Sequence, residues 1–182
     1  MEMMIFTIGH STRTWDELLS VLHAHQIAAL ADVRSFPKSR HHPQFNRDDL
    51  AEHLPQNNIE YLWLGLELGG FRKKMLSDSP HTALRSPAFR NYADYMGMDD
   101  FRGGIGKLSQ VAMTKRVAVM CAEQVWWRCH RSMISDYLSA VRGVEVVHLY
   151  DEKKTEPHRL NRVARLSGDQ LVYDVTFQGS LL

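Results

Sequence analysis

Short apolar runs and stretches with helical spacing alternate along most of the chain. Five apolar runs predict strands, and they cover residues 4–8, 27–33, 60–64, 116–120 and 144–150. Between the first two runs, Thr14 and Glu17 form a capping box ahead of apolar residues at helical spacing. Strands that alternate with helices in this way are typical of a mainly parallel sheet with helices on both faces. The sequence therefore predicts a Rossmann-like, three-layer α/β domain with about five strands.

Two segments depart from this alternation. Residues 66–85 show no clear period, and because a loop of this length inside a domain is usually functional or mobile, we expect a long loop or lid. Residues 151–182 are expected to form a C-terminal appendage, in which 152–162 is charged and partly helical and a hairpin turns at 167–169. The length suits one domain, so residues 1–182 are expected to fold as a single unit.

Composition limits the classes of function. Hydrophobic residues make up 44% of the chain and charged residues 24%, which is typical of a soluble domain with a proper core. The formal net charge of +1 gives no general attraction to nucleic acid, so any electrostatic function must be local. No apolar run approaches the roughly 20 residues of a membrane span, and the first residues lack the features of a signal peptide. With only two cysteines, the simplest expectation is a cytoplasmic, reduced protein with no membrane partner.

Polar side chains follow several of the predicted strands. They are His10 and Ser11 after the first strand, Asp32 and Arg34 at the end of the second, and Cys121 and Glu123 after the fourth. Ligands of parallel sheets bind beyond the carboxyl ends of the strands. We therefore expect these side chains to share one cleft.

The segment 121–131 holds the densest group of reactive side chains. It contains both cysteines, Cys121 and Cys129, together with Glu123, Arg128, His130 and Arg131. The predicted helix begins near Cys129, where unpaired backbone N–H groups and the helix dipole would stabilise a thiolate. Such a thiolate suits a nucleophile or a redox thiol, with His130 or His148 as its base. The alternative is structural, because a cysteine at a strand end is often buried as a small apolar side chain.

Polar and charged groups at the same strand ends indicate two further roles, anion binding and acid–base catalysis. The candidate residues for binding an anion are Ser11, Arg34, Arg128 and Arg131, and the candidate acid–base groups are His10, Asp32 and Glu123. Guanidinium groups match the geometry of phosphate and carboxylate, so a small anionic molecule or a nucleotide is the expected partner. The alternative for Arg34 and Arg131 is a structural ion pair with a neighbouring carboxylate.

A thiolate and imidazole metal site is another alternative. Cys121, Cys129 and a histidine could complete a tetrahedral set for zinc. The spacing of the two cysteines does not match that of usual zinc ligands, and no second Cys-x2-Cys pair is present, so no residue is assigned as a metal ligand. The chain also lacks a Gly-x-Gly-x-x-Gly fingerprint after a strand and a Gly-x4-Gly-Lys phosphate loop, and the cofactor stays open.

Several short motifs follow one another in an order that matches a known family. They are Thr7-Ile-Gly-His-Ser11, Asp32-Val-Arg34 with Pro37 and Phe45, Leu68-Gly-Gly70, Cys121-Ala-Glu123, Cys129-His-Arg131 and the late His148. In this order the chain resembles the bacterial family called domain of unknown function 488, over roughly residues 5–173. The resemblance implies that these positions are the polar set shared by the family, and it implies no reaction.

The sequence thus predicts an enzyme, a hydrolase or transferase of open specificity. It would act on a small anionic or nucleotide-like substrate through the strand-end cleft, by acid–base or cysteine chemistry. One alternative is a non-catalytic module that binds nucleic acid or a nucleotide, and the other is the metal-site protein. The oligomeric state is not predicted.

Overall fold

Six strands form the central sheet of the computed structural model, which describes residues 3–176. They are β1 (Met4–Gly9), β2 (Ala29–Asp32), β3 (Glu60–Trp63), β4 (Val117–Cys121), β5 (Glu145–Leu149) and β6 (Thr155–Pro157). Their order across the sheet is β3-β2-β4-β1-β5-β6, and every pairing is parallel except that of β5 with β6. The predicted, mainly parallel sheet is therefore confirmed, with one strand more than expected.

Helices cover both faces of this sheet. They are α1 (Trp15–Ala24), α2 (Arg47–Gln56), the single turn α3 (Gly65–Leu68), α4 (Pro87–Tyr95), α5 (Asp99–Ala112) and α6 (Arg131–Ala140). Alternate residues of β4 show the division: Ala118 and Met120 pack with α1 and α2, whereas Val117 and Val119 pack with α4, α5 and α6. The three-layer arrangement predicted from the sequence is thus confirmed.

The strands on either side of β4 are followed by helices on one face of the sheet, whereas β4 itself is followed by a helix on the opposite face. Strands β1 and β2 are followed by α1 and α2 on one face, and β4 is followed by α6 on the other. Where adjacent parallel strands send their connections to opposite faces, a crevice opens at their carboxyl ends. The segment that follows β4 begins at this crevice.

In the C-terminal part of the chain one expectation is confirmed and another is wrong. The hairpin is confirmed as β7 (Ala164–Ser167) and β8 (Gln170–Tyr173), with Gly168 at a φ of +65° in its turn. The prediction that 152–162 is partly helical is wrong, because this stretch contains β6, which pairs with β5. Leu171 and Tyr173 pack into the core on the side of α4, α5 and α6.

Two local boundaries differ from those expected. The capping box of Thr14 and Glu17 starts α1 as predicted. Helix α6, however, begins at Arg131, since a short 3-10 turn at Trp126–Arg128 and an extended Cys129 precede it. Residues 66–85 contain the last three residues of α3 and then no regular element, and whether they act as a lid stays a prediction.

Among residues 3–176, no helix has both the length and the apolar character needed to cross a bilayer.

Candidate functional site

The end of β1 is locked to the segment that follows β4. The backbone N–H groups of His10 and Ser11 donate to the carbonyls of Cys121 and Ala122, both at 3.0 Å. A Cβ on Gly9 would lie 1.9 Å from the carbonyl oxygen of Glu123, so only glycine allows the segment to cross β1 this closely. The first two predicted site residues are therefore in direct backbone contact with the cysteine segment.

His10, Asp32 and Arg34 form one hydrogen-bonded group. Arg34 donates from Nε and Nη2 to the two carboxylate oxygens of Asp32, at 2.9 and 2.7 Å, and from Nη1 to Nε2 of His10 at 3.1 Å. Because Nδ1 of His10 lies 2.9 Å from the carbonyl of Ser11, Nδ1 carries the hydrogen and Nε2 accepts. Burial, and then the charge of Arg34, lower the pKa of His10 to about 4.

These contacts leave little acid–base or anion-binding capacity in the group. Asp32 is fully buried, and it also accepts from the hydroxyl of Tyr61 at 2.8 Å. Arg34 uses its remaining Nη2 hydrogen on the carbonyl of Phe45. The structural pairing of Arg34 with Asp32, which the sequence left open, is therefore present.

The two cysteines lie against each other. Their Sγ atoms are 3.2 Å apart and both thiols are free, with Cys121 buried and Cys129 partly exposed. The hydrogen bond from Cys121 lowers the pKa of Cys129 to about 7, and the charge of Arg131 acts in the same direction. The same hydrogen bond, together with burial, raises the pKa of Cys121. The pair therefore consists of a partly exposed thiol with a lowered pKa and a buried thiol with a raised pKa, so Cys121 is the donor when Cys129 is a thiolate.

Arg131 is a buried cation beside this pair. Its side chain is only 1% exposed, and Nη2 donates to the carbonyls of Glu123 and Gln124 at 3.0 and 3.1 Å. Its Nε has no hydrogen-bond partner, and no carboxylate among residues 3–176 forms an ion pair with it. Since a buried charge is normally paired, this unpaired guanidinium favours the thiolate form of Cys129, whose pKa it helps to lower.

The remaining predicted residues differ in exposure. His130 donates from Nε2 to the carbonyl of Val33 at 3.0 Å, and burial lowers its pKa to about 4. A Cβ on Gly70 would lie 2.6 Å from Nδ1 of His130, so the Gly69–Gly70 turn closes over this ring. The side chains of Glu123 and Arg128 are exposed, and Glu123 contacts the centre through its carbonyl rather than its carboxylate.

A second polar chain lies next to the cysteine segment, and of its members only His148 was predicted, as a base for the thiolate. The Thr7 hydroxyl contacts Nδ1 of His148 at 2.7 Å, Nε2 of His148 contacts His158 at 3.0 Å, and His158 contacts Asp136 at 2.9 Å. The Trp126 ring stacks on His148, with centroids 4.2 Å apart. The sequence feature that could have indicated the rest of this chain is Asp136, a carboxylate on the apolar face of α6.

A pair of exposed aromatic side chains was also missed. Phe36 is 76% and Phe71 79% exposed, and their ring centroids are 5.8 Å apart. The N–H of Phe71 donates to the Ser35 hydroxyl at 3.4 Å, and Phe71 follows the glycine that covers His130. The sequence feature that could have indicated this exposed pair is the presence of one phenylalanine in each of two otherwise polar loops.

In the part of the chain that the structure describes, the candidate His, Cys, Asp and Glu ligands are not arranged as a metal centre. Among residues 3–176, no group of three or more His, Cys, Asp or Glu side chains is arranged to hold a metal ion. The histidine nearest in sequence to the cysteines, His130, directs Nε2 to a backbone carbonyl.

The chain matches a known protein family. A family model described as domain of unknown function DUF488 matches residues 14–138. No curated protein and no solved structure matches the chain. The matched range runs from the start of α1 into α6, so it includes the two cysteines and Arg131 but not His10.

Proposed function

Since the chain belongs to the DUF488 family, whose description names no activity, we propose from the geometry that it is an enzyme with Cys129 as its nucleophile. The substrate is a small anionic molecule. One observation carries this proposal: an accessible Cys129 thiol lies 3.2 Å from a donor thiol and beside a buried arginine without a carboxylate partner. Reactive cysteines occur in electropositive, partly exposed surroundings of this kind.

The chemical step is a displacement at an electrophilic atom of the substrate. The Cys129 sulfur forms a bond to that atom while the bond to the leaving group breaks, and the leaving group departs with the electron pair. The Cys121 thiol supplies a proton to the leaving group, and water then cleaves the covalent intermediate. Glu123, an exposed carboxylate in the same segment, is the candidate base for this water.

The preference for an anion rests on local charge. Arg131 adds a buried positive charge, and Arg128 is exposed, with no partner for its side chain in the part of the chain that the structure describes. Arg128 directly precedes the proposed nucleophile in the chain, and an exposed guanidinium attracts phosphate and carboxylate groups. Phe36 and Phe71 favour a planar ring on the substrate, as in a nucleotide, because exposed aromatic side chains stack on bases.

We expect Cys129 to be alkylated with a pH midpoint of about 7, rather than the roughly 8.5 of an ordinary thiol. At pH 7 about half of Cys129 is then thiolate, but an acidic thiolate is a weaker nucleophile, so the net gain in rate over an ordinary thiol is about three- to fourfold. Anionic iodoacetate should react faster than neutral iodoacetamide, although two negative charges repel each other in open solution. The measurement is the rate of labelling by mass spectrometry across pH.

Matched variants separate the contributions to this result. Cys121→Ala removes the donor and should move the midpoint upward, whereas Cys121→Ser keeps a donor and should move it less. Arg128→Gln should remove the preference for iodoacetate, and Cys129→Ser should label at background level. A midpoint near 8.5 in the wild type, or the same reagent preference in Arg128→Gln, would contradict the proposal.

Turnover distinguishes an enzyme from a binding module. With acetyl phosphate, we expect a transient acetyl thioester on Cys129 and release of more than one equivalent of phosphate, both absent in Cys129→Ser. Intact-protein mass after rapid quenching and a phosphate assay measure these products. If neither appears while a single-stranded polynucleotide binds with a steep dependence on salt, the binding module is favoured, with Phe36 and Phe71 as its stacking residues.

A further inference from the structure

We propose that the pair Cys121 and Cys129 also reduces hydroperoxides and closes an intramolecular disulfide in each cycle. This activity rests on the proposed function in one respect, because Cys129 is the reactive thiolate in both. The substrate class is a small hydroperoxide, with hydrogen peroxide as its simplest member.

The positions of the two sulfurs favour a bond between them. A disulfide has an S–S length of about 2.05 Å, so sulfurs that are 3.2 Å apart need to approach by about 1.2 Å. Cys121 is fixed, since it is the last residue of β4 and pairs with Gly9 of β1. Cys129 lies between a 3-10 turn and α6, outside regular structure, so the approach requires movement of this short segment only.

Exposure assigns a different role to each cysteine. Cys129 is partly exposed and can meet a peroxide, whereas Cys121 is 3% exposed. Cys129 is therefore the thiol that is oxidised first, and Cys121 is the thiol that resolves the product. The buried sulfur is already in contact with the one it must attack.

The reaction balances with the peroxide as oxidant. The Cys129 thiolate attacks one peroxide oxygen, the O–O bond breaks, and Cys129 becomes a sulfenic acid. The hydroxide or alkoxide that leaves takes the proton of the Cys121 thiol. The Cys121 thiolate then attacks the sulfur of the sulfenic acid, the S–O bond breaks, and hydroxide departs and takes a proton from solvent. Two thiols are oxidised by two electrons, and hydrogen peroxide becomes two water molecules.

Arg131 makes the disulfide easy to reduce again. In the reduced state the charge of Arg131 favours the Cys129 thiolate, and in the disulfide state this thiolate is absent and Arg131 is a buried cation without an anion. Stabilisation of the reduced form raises the reduction potential of a dithiol pair. The pair is therefore suited to repeated turnover with an external dithiol rather than to permanent cross-linking.

The test adds one equivalent of hydrogen peroxide to the fully reduced protein at pH 7. Intact mass should show the loss of two hydrogens, and peptide mapping should link Cys121 to Cys129 within a monomer. Dithiothreitol should restore the dithiol and support peroxide consumption about tenfold above that of Cys129→Ser. In Cys121→Ser, a sulfenic acid should accumulate at Cys129 and be trapped by dimedone.

Three outcomes would overturn the peroxide activity: over-oxidation of wild-type Cys129 without a disulfide, disulfides between molecules, or equal consumption by wild type and Cys129→Ser. The proposed function is judged separately. If iodoacetate labels Cys129 with a midpoint near 7 but peroxide forms no disulfide, only the peroxide activity fails. If the disulfide forms while acetyl phosphate is not turned over, only the proposed function fails.

Discussion

Arg131→Met is expected to lower the free energy of unfolding by about 2–5 kcal/mol and to raise the pKa of Cys129. The first effect arises because the buried guanidinium satisfies the carbonyls of Glu123 and Gln124, which methionine cannot do. The second arises because the charge that favours the thiolate is lost. Urea unfolding and the pH dependence of alkylation measure the two effects, and the melting temperature should fall by roughly 5–15 °C.

Arg131→Lys is the matched control. It retains the charge but not the planar group that spans two carbonyls, so the thiol should stay more acidic than in Arg131→Met while stability is still reduced. Should Arg131→Met be as stable as wild type, with the same alkylation midpoint, the buried cation would organise neither the segment nor the thiol.

Below pH 6.5 the protein is expected to lose stability steeply. Burial lowers the pKa of His10 and His130 to about 4 and that of His148 to about 2, whereas a histidine of the unfolded chain titrates near 6.5. Between these values the unfolded state binds more protons than the folded state, so the free energy of unfolding falls as the pH falls. Each of these three histidines contributes up to about 1.4 kcal/mol per pH unit, so together they contribute up to about 4 kcal/mol per pH unit.

Urea unfolding at a series of pH values between 8 and 5 measures this slope. His10→Gln should reduce the slope by roughly a quarter to a third whatever its effect on stability at pH 8, because it removes one of the buried histidines whose pKa is lowered, a group that also includes His81. His41→Gln, at an exposed position, should leave the slope unchanged. A stability that is flat from pH 6.5 to 5 would contradict the expected neutral burial of these rings.

Local patterns in the sequence were sufficient to predict most of the fold. The capping box at Thr14 and the alternation of apolar strands with helices are signals within a few residues, and the structure has both. Strand β6 was missed because Thr155–Pro157 is short, charged and contains a proline, so it has no apolar alternation. Its pairing with β5 is a tertiary interaction that propensity does not report.

The sequence predicted which polar residues share one edge of the sheet but not the hydrogen bonds that they form. Parallel strands bring His10, Asp32 and Cys121 to one edge of the sheet, and this follows from topology alone. Which partner each side chain takes depends on directions and distances that the sequence does not contain. The start of α6 shows the same limit, because Trp126 is held in place by stacking on His148, 22 residues later in the chain.

The place of β1 in the sheet has a practical consequence for expression. The family match begins at residue 14, after a strand that lies between β4 and β5 and whose Gly9 supports the cysteine segment. A fragment cut to the matched boundaries would lack this central strand as well as β5 and β6, and would expose the edge of β4 that pairs with β1. Recombinant forms meant for crystallisation or labelling should therefore retain the chain from before Met4 through Tyr173.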